Sequence, residues 1–192
     1  AFWTSVVTTV LGTLAALSLI HLKGNYRRGF EALNFAPIAF PGLFLGIALM
    51  TLFGEMQLRR SLLTVTIGHV LFTLPFFVEA MRSRIAHFDV ALEDAARDLG
   101  ASSLQTFRLV TIPILAPTII GAAILTFALS FDEFIITVFL GGNETTLPLY
   151  IWSMMRRTVD PSINAASVVA MACSALVLLA AGLFAHLQRQ RT

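Results

Sequence analysis

Long stretches of the 192-residue chain contain no charged side chain, and short polar segments separate them. Asp, Glu, Lys and Arg are absent from residues 1–22, 32–54, 61–78, 109–131 and 161–188. About 20 consecutive apolar residues are enough for a helix to cross the ~30 Å hydrocarbon core of a bilayer. The pattern therefore predicts five transmembrane helices, at about residues 2–20, 37–54, 61–80, 117–140 and 164–187.

The predicted fold class is all-α, a polytopic membrane protein in which residues 1–192 form one transmembrane domain. Composition agrees, because 57% of the residues are hydrophobic and 12% are charged, against roughly 25% charged in soluble domains. A chain of this size cannot hide so much apolar surface in one water-soluble core, which argues against a soluble enzyme. The net charge of +2, without a basic stripe, gives no indication of nucleic-acid binding.

The distribution of basic residues predicts the orientation, because cytoplasmic loops are enriched in Lys and Arg. Nine of the thirteen basic residues lie in segments 21–36 and 81–116 and in the C-terminal tail, and four lie in the opposite segments. We therefore expect these two loops and the C-terminus to be cytoplasmic. The chain begins at Ala1, with neither a methionine nor a basic segment before the first apolar stretch. A further span upstream is expected, which would make six.

Two features inside the spans predict contacts between helices. Gly42 and Gly46 form a small-xxx-small pair, a spacing that allows a neighbouring helix to approach closely. His69 lies within the third span, and we expect it to form hydrogen bonds between helices rather than to bind a ligand or relay protons. The other histidines and the single cysteine, Cys173, show no metal-ligand spacing.

The cytoplasmic segment 81–116 contains the signals of a short helix. Asp89 is a plausible N-cap, and Gly100 suits the left-handed residue that ends a helix. Glu93 and Arg97 form an i,i+4 pair in the favourable order. Small and apolar residues share one face of this helix: Ala91, Leu92, Ala95, Ala96 and Leu99.

A second short helix is predicted directly after it. Ser102 and Gln105 have the spacing of a capping box, and Pro113 is expected to end the helix, because the residue before proline is displaced from helical geometry. Residues 89–98 contain four acidic residues and one arginine, which the anionic cytoplasmic leaflet would repel. Docking to a protein is therefore favoured over lying on the lipid surface.

This segment resembles the EAA signature of permease subunits in bacterial ABC importers. The match runs through Asp94-Ala95-Ala96, Gly100, Val110, Ile112 and Pro113. Asp94, Val110 and Ile112 depart from the signature's Glu, Ile and Leu but keep charge or apolar character. In that family the loop forms coupling helices that sit in a cleft of the ATPase subunit. The resemblance implies a set of ATPase-coupling residues: Glu93, Asp94, Ala95, Ala96, Gly100 and Pro113.

The segments 130–139 and 146–165 narrow the resemblance to the second permease of spermidine/putrescine importers. Asp132 and Glu133 lie within the fourth predicted span, where carboxylates are costly and usually face a bundle interior or an aqueous path. Polyamines are polycations with apolar spacers, so carboxylates beside aromatic rings suit them. The implied substrate-pathway residues are Asp132, Glu133, Tyr150 and Trp152. Tyr150 and Trp152 fit an interfacial anchor equally well, and importers of phosphonate, iron or sulfate share the signature loop.

The resemblance implies an assembly in the bacterial inner membrane. Its other members would be a second permease, a dimer of ATP-binding cassette ATPases and a periplasmic or extracellular substrate-binding protein. The chain contains no phosphate-binding G-x-x-x-x-G-K-[ST] loop, so ATP and Mg are expected on the partner ATPases and no cofactor or metal on this chain. The main alternative, an ion-coupled secondary transporter, would require internal repeats, and the sequence contains no convincing one. An intramembrane enzyme would need a nucleophile–base pair or a metal site, and neither pattern is present.

Overall fold

The computed structural model describes residues 1–156, 164–165, 167–169, 171–176 and 179. Every regular element within these residues is helical, which agrees with the predicted all-α fold. The helices, in chain order, are α1 (Phe2–His21), α2 (Gly24–Ala39), α3 (Gly42–Glu55), α4 (Leu62–Ala86), α5 (Ala91–Asp98), α6 (Ser103–Thr106), α7 (Ile112–Asp132), α8 (Ile135–Leu140) and α9 (Leu147–Met155). A π-helical turn, Phe107–Thr111, joins α6 to α7.

Three helical stretches are long and apolar enough to cross a membrane: Phe2–Ile20, Leu62–Ala86 and Ser103–Asp132. The first two agree with the predicted spans at 2–20 and 61–80, although the second extends further, to Ala86. The predicted span at 164–187 and the C-terminus, for which a cytoplasmic location was predicted, lie largely outside the described residues.

The predicted span at 37–54 is wrong as a single straight helix. Helices α2 and α3 together are apolar enough to cross a membrane, but they are bent by 103°. The bend lies at Phe40 and Pro41, where Phe40 is extended with φ −94° and ψ 128°. Proline imposes this conformation on the residue before it. The segment 21–36, expected to be a loop, is helical from Gly24, and none of the residues of α2 is buried.

The predicted span at 117–140 is also wrong in its limits. Helix α7 begins at Ile112 and ends at Asp132, and Glu133 then has an extended conformation with φ −73° and ψ 102°. The chain becomes helical again only at Ile135, in the six residues of α8. Apolar residues lie on both sides of Asp132 and Glu133, so the hydrophobic pattern predicted one span where the chain forms two helices.

Pro113 does not end a helix, contrary to expectation, but lies in the first turn of α7. Backbone N–H groups in the first turn of a helix have no partner within that helix, so proline is tolerated there. In the preceding π-helical turn the backbone hydrogen bonds join residues five positions apart, and the helix continues past the proline. As a result, Ser103–Asp132 forms one apolar helical stretch of 30 residues.

The interior consists of two apolar clusters that share α4. The first lies between α1, α4 and α7 and contains Ala16, Phe77, Met81, Leu115 and Ala122. The second lies between α3, α4 and α8 and contains Leu49, Phe53, Val65, Ile136 and Leu140. Helix α4 therefore connects the long helices to the short helix that follows the break.

Two glycines allow α8 to approach its neighbours. A Cβ atom on Gly46 of α3 would lie 2.7 Å from Cδ2 of Phe139. A Cβ atom on Gly68 of α4 would lie 2.5 Å from Cδ1 of Leu140 and 2.9 Å from Cγ2 of Ile136. The close approach expected of the Gly42–Gly46 pair is confirmed for Gly46, and its partner helix is α8.

Replacing Gly68 by leucine is expected to lower the thermal unfolding temperature of the detergent-solubilised protein, because overpacking a filled site costs about 1–3 kcal/mol. Gly121→Leu is the matched control, since a Cβ atom there would meet nothing within 4 Å. Both changes gain similar helix propensity, so the difference between them isolates the packing term. Equal unfolding temperatures for the two variants would contradict the close packing of α8 on α4.

Candidate functional site

Local hydrogen bonds and one backbone conformation fix the ends of α5 and α6. Gly100 has a φ of +87°, which is the left-handed conformation expected of a helix stop. The Gln105 N–H donates to Ser102 Oγ at 3.3 Å, and the Ser102 N–H donates to Gln105 Oε1 at 2.8 Å, which confirms the capping box. Asp89 as N-cap is wrong by one residue, because its Oδ1 accepts from the Ala91 N–H at 3.0 Å in an Asx turn and α5 begins at Ala91.

Glu93 anchors α5 to the π-helical turn. Its side chain points inward, and the residue is 9% exposed. The Thr111 hydroxyl donates to Glu93 Oε1 at 2.5 Å, and Arg97 Nη2 donates to Glu93 Oε2 at 3.2 Å. Arg97 also pairs with Asp94 at 3.0 Å. The predicted Glu93–Arg97 pair is therefore present, and Glu93 makes a contact within its own chain as well.

The opposite face of α5 is exposed in the chain by itself. Asp94, Ala95 and Gly100 are exposed, and Ala96 is half-buried. Leu99 is 90% exposed, which is an unusual position for a leucine in a polar segment. Pro113 is also exposed. The small and apolar residues predicted to share one face thus lie mainly on the outside of the chain, where a partner can reach them.

Glu133 lies at the break between α7 and α8 and caps the second helix. Its Oε1 accepts from the Ile136 N–H at 3.1 Å, satisfying a backbone donor that the helix start leaves unpaired. A Cβ atom on Gly42, the first residue of α3, would lie 3.9 Å from both carboxylate oxygens. The N-termini of α3 and α8 therefore lie close to the same carboxylate, a favourable arrangement for negative charge.

The two acidic residues at the break line neighbouring cavities. Asp132 is exposed and lines cavities of about 610 Å³ and about 240 Å³. Glu133 lines the larger of these and a third cavity of about 470 Å³. The two carboxylates share one cavity, and each lines a second one that the other does not.

The predicted aromatic residues divide into two groups. Trp152 lines the cavity of about 240 Å³ together with Asp132 and Phe134, and its ring centroid is 6.0 Å from that of Phe134. The guanidinium carbon of Arg156 lies 4.3 Å from the Trp152 ring centroid, in the geometry of a cation–π contact. Tyr150, by contrast, is 49% exposed on α9. The structure thus brings Trp152, but not Tyr150, to the carboxylate.

His69 forms hydrogen bonds on both sides of the break. Its Nδ1 lies 2.9 Å from Ser130 Oγ of α7, and its Nε2 lies 3.0 Å from Thr137 Oγ1 of α8. His69 is 3% exposed. The expectation that it forms hydrogen bonds between helices is confirmed.

Sequence reasoning missed Thr111, Ser130 and Thr137. All three are buried hydroxyl residues in apolar helices, and each bonds a side chain that the sequence had singled out. Their hydroxyl groups within apolar stretches were the available signal, since polar groups inside a membrane form hydrogen bonds across helices. Among the described residues, no group of three or more His, Cys, Asp or Glu side chains is placed to hold a metal ion.

Comparison with known proteins agrees with the geometry. Residues 8–192 match the family model described as the inner membrane component of binding-protein-dependent transport systems. The putrescine transport system permease protein PotI of Escherichia coli (strain K12) is 33% identical over 97% of this chain and 70% of its own length. The spermidine/putrescine transport system permease protein PotC of the same strain is 29% identical over 97% of this chain and 71% of its own length.

A solved structure shares the fold. The inward-facing MetNI methionine ABC transporter contains a chain that superposes with a TM-score of 0.72, covering 96% of this chain and 93% of its own. Sequence identity to it is 16%, so the similarity concerns the fold alone. The resemblance to importer permeases, first drawn from Asp94-Ala95-Ala96 and Gly100, is confirmed. The chain belongs to the family of inner membrane components of binding-protein-dependent transport systems.

Proposed function

We propose that this chain is one permease subunit of an ATP-driven, binding-protein-dependent importer for polyamines. The observation that carries the proposal is the break at Asp132 and Glu133, where two carboxylates lie among aromatic side chains and cavities inside an apolar span. The two relatives named above transport putrescine or spermidine according to their names. A second permease would complete the pathway, and an external binding protein would deliver the cargo.

ATP would be hydrolysed on partner ATPases that dock on α5. The exposed residues Asp94, Ala95 and Leu99 form the docking face, and Gly100 ends the helix that carries it. In this proposal Glu93 holds the helix from behind rather than touching the partner, because its side chain is buried against Thr111. The 21–36 segment, the 81–116 loop and the C-terminus would face the cytoplasm.

The hydrogen bond between Thr111 and Glu93 connects the docking face on α5 to α7, which leads to the break. Thr111, which holds Glu93, is the last residue of the π-helical turn, and α7 begins at the next residue. Helix α7 is continuous from there to Asp132. A displacement of α5 on nucleotide-driven closure would therefore act on one end of a rigid helix whose other end bears the carboxylates, as alternating access requires.

The chemistry at the break suits a diamine or triamine. Asp132 offers an exposed carboxylate to an ammonium group, and the rings of Phe134 and Trp152 line the same cavity. Trp152 already has a cation, Arg156, over its face, which illustrates that the ring attracts positive charge. Glu133 accepts a backbone hydrogen bond, so we assign direct contact with the cargo to Asp132 first.

Removing the anchor of α5 is expected to uncouple transport. Thr111→Val breaks the buried bond to Glu93, at a cost of about 1–3 kcal/mol, and Glu93→Ala breaks that bond together with the Arg97 pair. Each is expected to lower binding-protein-stimulated ATPase activity and uptake at least tenfold in reconstituted vesicles, at equal amounts of assembled complex. The double variant should be no worse than Glu93→Ala, because Thr111→Val removes a bond that Glu93→Ala has already removed.

Thr106→Val is the matched control for this anchor. Within the described part of the chain, the buried Thr106 hydroxyl has no hydrogen-bond partner, so its removal should leave coupling unchanged. Full coupling in Glu93→Ala would contradict the proposed route.

Neutralising Asp132 tests the cargo. Asp132→Asn is expected to raise the KM for putrescine and spermidine uptake about tenfold, equal to about 1.4 kcal/mol of lost attraction. Glu79→Gln, which removes an acid from an exposed pair with Arg82, should leave the KM unchanged because such surface pairs contribute little. If no polyamine stimulated ATP turnover in the unmodified complex, the proposed cargo would be wrong, while family membership would stand. Uptake that continued without the ATPase would instead indicate a secondary transporter.

A further inference from the structure

The hydrogen bonds around His69 form one continuous series. The Thr137 hydroxyl donates to the Glu133 carbonyl oxygen at 3.0 Å, which leaves Thr137 Oγ1 free to accept from His69 Nε2. In the tautomer that matches this arrangement, Nδ1 accepts from the Ser130 hydroxyl. The chain of bonds runs from Ser130, through His69 and Thr137, to the backbone at the break.

These bonds connect three separate parts of the structure. Ser130 belongs to α7 before the break, and Thr137 belongs to α8 after it. His69 belongs to α4, which packs against both. The backbone carbonyl oxygen of His69 accepts from the Thr73 hydroxyl at 2.8 Å, and the Thr73 hydroxyl lies 3.0 Å from that of Thr8 in α1. The imidazole thus links α4 to both halves of a broken helix, and the Thr73–Thr8 contact ties the same turn of α4 to α1.

The atom that receives the last bond is at the break itself. Glu133 is the extended residue between α7 and α8, and its carboxylate accepts from the Ile136 N–H. Hydrogen bonds to both its carbonyl group and its side chain leave Glu133 little freedom. Asp132 is its neighbour in sequence, so the same bonds limit where the exposed carboxylate can lie.

We propose that His69 is a positioning residue, which fixes the angle between α7 and α8 and thereby places Asp132 and Glu133 for the cargo. Its contribution to transport rests on the proposed function above, whereas its effect on the break does not. Neither carboxylate bonds His69 directly; the effect passes through Ser130, Thr137 and the backbone.

The central comparison is between His69→Leu and His69→Gln in the complete transporter, reconstituted in nanodiscs. Leucine removes both bonds. Glutamine can replace the imidazole as one donor and one acceptor between Ser130 and Thr137, since its amide nitrogen donates and its amide oxygen accepts. Thr126→Val is the matched control, because the Thr126 hydroxyl is buried but donates only within its own helix, to the Ala123 carbonyl oxygen.

The first measurement is the distribution of distances between spin labels at Leu125 and Val138. Both positions are exposed, at 43% and 39%, on α7 and α8. The distribution is expected to broaden in His69→Leu and to stay narrow in His69→Gln and Thr126→Val. An unchanged distribution in His69→Leu would overturn the proposal, whatever the cargo.

The second measurement separates positioning from loss of folded protein. At equal amounts of complex, His69→Leu is expected to raise the polyamine KM about ninefold, since it removes two intramembrane hydrogen bonds and each contributes about threefold, with a smaller change in kcat. Ser130→Ala removes one of these bonds and should raise the KM about threefold, which tests the proposal if His69→Leu does not assemble. Thr137→Val also removes the bond to the Glu133 carbonyl oxygen, so its KM should rise more than that of Ser130→Ala.

Two further outcomes distinguish the positioning role of His69 from the proposed cargo site. Broadened distances with an unchanged KM would overturn the positioning role, leaving His69 a purely structural residue. If Asp132→Asn leaves the polyamine KM unchanged while His69→Leu broadens the distances, the proposed cargo site fails and the effect of His69 on the break stands.

Discussion

The hydrocarbon core of a membrane supplies no water to satisfy backbone N–H and C=O groups, and a broken transmembrane helix must satisfy them with protein atoms. The break after Asp132 meets this requirement with the Glu133 carboxylate and the Thr137 hydroxyl, which bond backbone groups directly. The His69 imidazole bonds Thr137 and Ser130 and so supports this arrangement. The arrangement of α3, α4 and α8 depends on these hydrogen bonds. Helix α4 supplies the imidazole, and the glycines of α3 and α4 make room for the short helix that follows the break.

Irregular backbone in a membrane is tolerated where it is buried in protein or lines a cavity. Both conditions hold at this break. Glu133 lies against α3 and its bonds are internal, whereas Asp132 is exposed to the cavities. The two adjacent carboxylates thus have different environments. That of Glu133 is hydrogen-bonded within the chain, and that of Asp132 is free to contact a molecule in the cavities. This division explains how an apolar span can contain two acids without both being paired within the chain.

The sequence was sufficient for the straight spans and for the short helices α5 and α6, because those depend on local signals. Gly100, Ser102 and Gln105 fix helix ends within a few residues, and charge-free runs bounded 2–20 and 61–80. The bend at Pro41 was missed because it lies inside a charge-free apolar stretch. The break at Glu133 was missed because apolar residues lie on both sides of Asp132 and Glu133, so the pattern predicted one span through them. The partners of Glu93 and His69 were missed for a different reason, since Thr111, Ser130 and Thr137 are 18 to 68 positions away and no local pattern connects them.

Helix α8 contains six residues and is about 9 Å long, which is fewer than two turns. Helix nucleation is unfavourable for so short a segment, so α8 cannot be helical without the surfaces that surround it. Those surfaces belong to α3 and α4, which both precede it in the chain. During synthesis the α3 and α4 surfaces on which α8 packs are therefore complete before α8 emerges. The order of elements along the polypeptide matches the order in which they must be present in the membrane.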